Sequence, residues 1–299
     1  MPDLPSLQQT LESIAAQHHG DVALYAENLH TGETVALRAD EPVQTASTIK
    51  LAILYEAIQQ IRAGKVHFED PIVMRKADQV PRSGVLLFFD TPMTLTLKDA
   101  LTLMIAMSDN TATNLVIDHL GLANINHRIQ QLGLKDTYLY RKVFGTVEGP
   151  VPADHQRFGL GKTTPREMAR LMRKIATCDL TVPEMLSTPR DPELCDAMLY
   201  MLQNQFYQSA VPRYLDSMYT DTDSAIAHKT GELNDVRNDV ALIDSQQGKL
   251  ILSIFTWNNQ DQSWSVENEG ELTIARLARA IVAAWSSADL QNPHPFSSA

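Results

Sequence analysis

The sequence predicts an α/β (α+β) fold, with a five-stranded antiparallel sheet flanked by helices and an all-helical subdomain attached. Three observations predict it. Strand-like runs lie near both ends of the 299-residue chain, helical periodicity fills its middle, and 44% hydrophobic residues supply ample apolar material for a core. One sheet built from both ends, with the helices hung between them, is the economical arrangement. On this reading residues 1–45 and about 205–299 form the α/β part and about 46–204 the helical part, together one domain.

In chain order, Leu7, Leu11, Ile14 and Ala15 repeat at helical spacing and open the protein with an amphipathic helix. Val22 to Glu27 and Glu33 to Leu37 read as strands joined through Thr31-Gly32, a hairpin. Helices follow over Thr48 to Ile61, Leu97 to Met107, Thr111 to His119 and Ile125 to Leu132. At Thr164-Pro165-Arg166-Glu167 another begins. Thr164 can cap it, Pro165 suits its first turn and Glu167 completes a capping box. The helix Pro192 to Gln203 comes next. Strand character returns at Ala225 to Lys229, Asp239 to Ile243 and Leu250 to Trp257, and a helix from Leu272 to Trp285 precedes a polar tail expected to fray.

Charge excludes some functions. With 25 basic against 36 acidic residues the net charge is −11, which disfavours nucleic acid and anionic membrane as partners. Met1 to Gly20 has neither a basic start nor an apolar centre, so no signal peptide is read there, and no run suits a membrane span. Cys178 and Cys195 are read as two ordinary thiols rather than a disulfide, and no clustered His or Cys-x-x-Cys points to a metal. No metal and no organic cofactor are expected.

Three short motifs carry chemistry: Ser47-Thr48-Ile49-Lys50, Ser108-Asp109-Asn110 and Lys229-Thr230-Gly231. A Ser-x-x-Lys arises by chance roughly once in a chain this long, but each of the others only about 0.05 times, so the set of three is informative. Ser47 opens a helix, where free N–H groups favour a developing anion, and Lys50 shares its face. A buried lysine beside a second cation, here Lys229, loses its proton readily and can serve as base. Ser108 sits after a helix, placed to pass a proton to a leaving nitrogen, and Asn110 can bond a substrate amide. Gly231 lets a substrate approach closely.

These motifs, in this order, resemble the class A-like serine β-lactamase and penicillin-binding DD-peptidase superfamily. The likeness spans nearly the whole chain, including Leu95 to Asn114 and Thr163-Thr164-Pro165. It implies that Ser47 attacks a carbonyl to form an acyl-enzyme. The backbone N–H groups of Ser47 and Glu232 would stabilise the oxyanion, and Thr230 and Lys229 would bind a substrate carboxylate with help from Arg237. Substrates would be β-lactams or D-alanyl peptides. By the same resemblance the protein would be a periplasmic or secreted monomer.

The family's Glu-x-x-Leu-Asn, whose glutamate holds the deacylating water, is missing. The corresponding stretch reads Arg141-Lys142-Val143-Phe144-Gly145-Thr146-Val147-Glu148-Gly149-Pro150, and Gly161 stands roughly where the family closes this loop with aspartate. Glu148 is the first candidate for the missing base and Asp154 the second. Without such a base the chain would behave as a penicillin-binding DD-carboxypeptidase, a slowly deacylating esterase, or a receptor acylated once. Elsewhere, His228 is expected to face away from the site by strand alternation, and His119 and His127 to lie on the surface or in packing. Phe88 and Phe89 are read as core residues near Ser83, and Trp257, Trp264 and Trp285 as packing alone.

Overall fold

The computed structural model describes residues 6–182, 191–215, 226–245 and 248–287. The expected polar tail lies outside the described residues. The chain runs α1 (Leu7–Ala16), β1 (Asp21–Asn28), β2 (Thr34–Leu37), β3 (Val43–Gln44), α2 (Lys50–Arg62), β4 (Pro71–Met74), β5 (Met93–Thr96), α3 (Leu97–Ala106), α4 (Asn110–Leu120) and α5 (Leu122–Gln131). Then come β6 (Tyr138–Leu139), α6 (His155–Phe158), β7 (Gly161–Thr163), α7 (Pro165–Ala176), α8 (Pro192–Gln203), β8 (Ile226–Leu233), β9 (Val236–Ser245), β10 (Gly248–Trp257) and α9 (Glu269–Ser287).

Five strands form one antiparallel sheet in the order β2-β1-β10-β9-β8, which joins the two ends of the chain. The interior strands β9 and β10 are buried almost without interruption, because both faces of the sheet are covered. α1 and α9 pack one face through Leu11, Ile274, Leu277 and Ile281. α7 and α8 cover the other, so α7, although it belongs to the middle of the chain, packs directly on β1, β9 and β10. Its buried stripe of Met168, Leu171, Met172 and Ile175 alternates with Arg170, Arg173 and Lys174, as an amphipathic helix on a sheet requires.

α2 is the centre of the helical body. Every residue from Lys50 to Gln60 is buried, so the helix has no solvent face and even its polar side chains need partners. Glu56 pairs with Arg128 at 2.7 Å, and Gln59 reaches the Leu180 carbonyl at 2.9 Å. The same burial carries Lys50 into the interior.

Two small sheets escaped the sequence reading, because two- to four-residue strands leave no periodicity. β4 pairs with β5. β3, β7 and β6 form a three-stranded sheet that lays the chain entering the Ser47 turn against the segment after α5. Gly161 belongs to that contact. A Cβ there would lie 2.8 Å from Thr45 Oγ1 and 2.9 Å from the Tyr138 carbonyl, so no aspartate fits.

Three readings are corrected. Cys178 and Cys195 form a disulfide. Cys178 follows the end of α7 and Cys195 lies in the first turn of α8, and packing of these helices brings the Cα atoms within 5.6 Å. Phe88 and Phe89 are not core residues but 77% and 45% exposed, on a short 3₁₀ turn over 86–88 that buries only Leu86. Thr164 does cap α7 by accepting from the Glu167 N–H at 3.2 Å, but Glu167 does not complete the box. Its carboxylate instead accepts from the Asp136 N–H and the Thr137 hydroxyl.

Candidate active site

The edge strand β8, the start of α2 and the turn between α3 and α4 meet around a cavity of about 660 Å³. Ser47, Ser108, Asn110, Thr230 and Glu232 line it, which brings all three motifs together.

Ser47 lies on a 3₁₀ turn over Ala46–Ile49 that feeds directly into α2. The residue before it, Ala46, has φ 44°, and Ser108 itself has φ 53°. Left-handed backbone at two non-glycine positions is costly and persists only where the surroundings enforce it. At Ser47 the enforcing contact is Gly231. A Cβ on Gly231 would stand 2.8 Å from the Thr45 carbonyl and 3.0 Å from the Ser47 and Thr48 nitrogens. The glycine thus admits the Ser47 turn against β8, a contact that the sequence alone does not reveal. Asn238 on β9 adds two bonds from Nδ2, to the Gln44 and Thr45 carbonyls at 2.9 and 3.2 Å.

Lys50 Nζ, fully buried, reaches the Ser108 carbonyl at 2.8 Å, Ser108 Oγ at 3.0 Å and Asn110 Oδ1 at 3.3 Å. Burial, and then the charge of Lys229, hold its pKa well below the usual lysine value against the opposing pull of Asp109. Lys229, also fully buried, donates to the Thr230 carbonyl at 2.9 Å. Burial lowers it to about 8, with Glu232 and Asp239 resisting. The arrangement puts an amine whose charged form is disfavoured by burial in hydrogen-bond reach of the Ser108 hydroxyl, under the influence of a second buried lysine.

Asp109, the middle residue of its motif, faces away from this chemistry. It caps α4 through the Ala112 N–H at 2.8 Å and accepts from Val85 and Leu86 at 2.7 and 2.9 Å, fastening the segment over 79–92 to the motif. Asn110 extends the seam on both sides of Arg82, its N–H donating to Ser83 O at 3.0 Å and its Nδ2 to Pro81 O at 3.2 Å. Ser83 and Arg82 both line the cavity.

Arg237 does not join the site. In the β8–β9 register it pairs with Glu232, while Asp239 stands opposite Thr230. Arg237 is buried and donates to the carbonyls of Leu233, Val236 and Ser263, beneath the ring of Trp264 and 3.6 Å from Glu271. Asp239 is occupied by His228 Nδ1 at 3.0 Å and by the Val211 N–H at 3.0 Å, on the side of the sheet away from Lys229. His228 therefore faces as alternation predicts. Trp264 does more than pack, since it lines the cavity and remains 61% exposed.

Neither loop acid reaches the cavity. Glu148 is exposed, outside the wall. Asp154 accepts from the Tyr140 hydroxyl at 2.7 Å and from Lys162 at 2.8 Å. These bonds outweigh the effect of burial and hold its pKa below the usual value. In their place the loop presents Val143 and Phe144. Val143 is clamped by Asn114, which donates to its carbonyl at 3.0 Å and accepts from its N–H at 2.8 Å. Arg141 pins the loop by bonds to Gly145 O and Gly159 O. Among the described residues the one carboxyl lining the cavity is Glu232, whose pKa is raised by burial and by the nearby Glu271. The sequence reading singled out Glu232 only for its N–H, because a strand-end acid next to a glycine carries no pattern of its own.

This sheet-and-helix architecture is shared by the class A-like β-lactamases and penicillin-binding peptidases that the sequence resembles. The pattern of the beta-lactamase enzyme family (Beta-lactamase2) matches residues 6–285. A beta-lactamase of Rhodobacter capsulatus is 25% identical over 281 residues, covering 93% of this chain and 88% of that protein. Among solved structures, a beta-lactamase from Sphaerobacter thermophilus superposes with a TM-score of 0.78 at 32% identity, covering 94% of this chain and 97% of the other. The structure of PBP-A does so at 0.76 and 26%, covering 95% and 97%. The chain belongs to the beta-lactamase enzyme family. Among the described residues no helix is long and apolar enough to cross a membrane.

Proposed function

We propose that the protein is a serine hydrolase that opens β-lactam rings through an acyl-enzyme on Ser47, with deacylation as its slow step. One observation carries the reading: Ser47, Ser108, Asn110 and Thr230 line one cavity, and the fully buried Lys50, on the helix that Ser47 leads into, is bonded to Ser108 and Asn110 beneath it. Neutral Lys50 takes the Ser47 hydroxyl proton as Oγ attacks the lactam carbonyl carbon. The oxyanion is held by the Ser47 and Glu232 N–H groups, which the Gly231 contact supports by pressing β8 against the Ser47 turn. When the ring C–N bond breaks, Ser108 gives its proton to the nitrogen and recovers one from Lys50. Lys229 and Thr230 draw the substrate carboxylate, and Asn110 takes the acyl amide.

A second reading, a penicillin-binding DD-carboxypeptidase with a long-lived acyl-enzyme, is favoured by the wall at Val143 and Phe144. A carboxylate must come within hydrogen-bond reach of a water to activate it, and the loop supplies none to the cavity. Export to an oxidising compartment is supported by the Cys178–Cys195 disulfide.

Intact-mass measurement after incubation with benzylpenicillin tests the proposal. A single adduct of the penicillin's mass on the native chain, absent from Ser47→Ala, is expected. An unmodified native chain that also leaves the antibiotic intact would end it.

A further inference from the structure

The cavity is electrically lopsided. On the β8 side stands its one carboxyl among the described residues, Glu232, while Arg82, Arg141 and Lys142 line the side beyond Asn110. Lys142 is paired with Asp118 at 2.9 Å. Arg82 and Arg141 have no carboxylate partner among the described residues: Arg141 is spent on two backbone carbonyls, and Arg82 lies 5.9 Å from the ring of Phe144. Two uncompensated guanidinium groups in the wall of one cavity, in a chain of net charge −11, form a local reversal of the molecule's field.

Their position relative to the reaction is fixed by Asn110. Its backbone and side chain bond the carbonyls of Ser83 and Pro81, so Arg82 projects from the tripeptide held by the group proposed to take the acyl amide. Arg82 is itself held at φ 72°, a left-handed conformation at a non-glycine residue. Arg82 and the exposed ring of Phe144, 5.9 Å apart, stand together in the cavity wall next to the segment that Asn110 holds. A planar guanidinium over an aromatic ring suits a carboxylate, which it can bind through two parallel bonds.

We infer that the cavity selects acyl donors whose acyl side chain carries a carboxylate, with Arg82 as the specificity-determining residue and Arg141 adding its charge. The inference rests on the proposed Ser47 acylation. It concerns the side chain and not the carboxylate proposed to meet Lys229 and Thr230, and so adds a second subsite for an anion, lined by Arg82.

The test compares the second-order acylation rates of benzylpenicillin and its α-carboxy analogue on the full chain. The native protein should favour the carboxylated compound by roughly tenfold, the order of one good charge-assisted pair. Arg82→Ala should bring the ratio of the two rates towards one, Arg82→Glu should invert it, and Arg82→Lys should keep part of it. Added salt should shrink the native preference, because Arg82 is exposed. Equal native rates, or a preference untouched by Arg82→Ala and Arg82→Glu, would overturn the inference while leaving Ser47 acylation standing. No acylation by either compound would remove that underlying reading, and this one with it.

Discussion

The Ser47 turn with β8 and the segment over 141–163 form two walls of one cavity, yet they are built in opposite ways. On the first wall, side chains do the work. Lys50, Lys229 and Ser108 are buried, Lys50 is bonded to Ser108, and the backbone is bent at Ala46 and Ser108. On the second, side chains are spent on holding the loop: Asn114 on Val143, Arg141 on two glycine carbonyls, and Asp154 on Tyr140 and Lys162. What the second wall offers the cavity is apolar or cationic. Acylation and deacylation are separate steps, and under the proposed function the first wall serves acylation.

The contrast breaks most sharply at Ser47. Ser47→Ala should cost on the order of 10⁶ in acylation rate, as removal of a nucleophile does elsewhere, read by stopped-flow with a chromogenic substrate. Lys50→Ala should cost about 10²–10⁴, the range for a general base. If Lys50→Ala kept nearly full acylation, the base would have to be sought on the second wall.

Gly231→Ala probes the contact between β8 and the Ser47 turn. The added Cβ would meet backbone at 2.8 and 3.0 Å, which cannot swing aside as a side chain would. A loss of roughly 10²-fold in kcat/KM with the fold retained is expected, because displacement of a reacting group by about 1 Å has that effect.

The pH profile comes next. Lys50 must be neutral to accept the Ser47 proton, so acylation is lost as pH falls through its depressed pKa. Lys229 must be charged, so acylation is lost again as pH rises through about 8. Lys229→Arg should erase the alkaline limb. A limb that survives in that variant would have to come from another group.

On the second wall the effects should be small. Glu148→Ala should leave the steady-state rate within about twofold, because its carboxylate lies outside the cavity and an exposed side chain contributes little. Replacing both cysteines by alanine should lower stability by up to about 3 kcal/mol, the loop-closure value for a cross-link over such a span. Acylation should scarcely change, since the bridge joins α7 to α8 away from the cavity. Thermal unfolding beside an acylation assay separates the two outcomes.

The same contrast explains what could be read from the sequence. The first wall is written in short local patterns, because Ser47 and Lys50 share a helix face and Lys229, Thr230 and Gly231 share a strand. Strand runs at both ends also sufficed to predict the five-stranded sheet. Arg237 was misplaced because its role depended on register. The β8–β9 pairing sets Asp239, not Arg237, opposite Thr230, and no local pattern reveals which residue faces which. The loop was hardest. Its nearest acid in sequence, Glu148, faces solvent, whereas Val143 reaches the wall through Asn114, 29 residues earlier. The disulfide depended likewise on the packing of α7 against α8, and Phe88 and Phe89 on a turn that buries Leu86 instead.

The most direct test of the two-wall account is a rapid-mixing experiment with a chromogenic cephalosporin, following burst and steady state together. The account predicts a burst of one equivalent on Ser47 followed by a much slower steady phase. Linear turnover with no burst, abolished by Ser47→Ala, would mean that deacylation outpaces acylation and would contradict it.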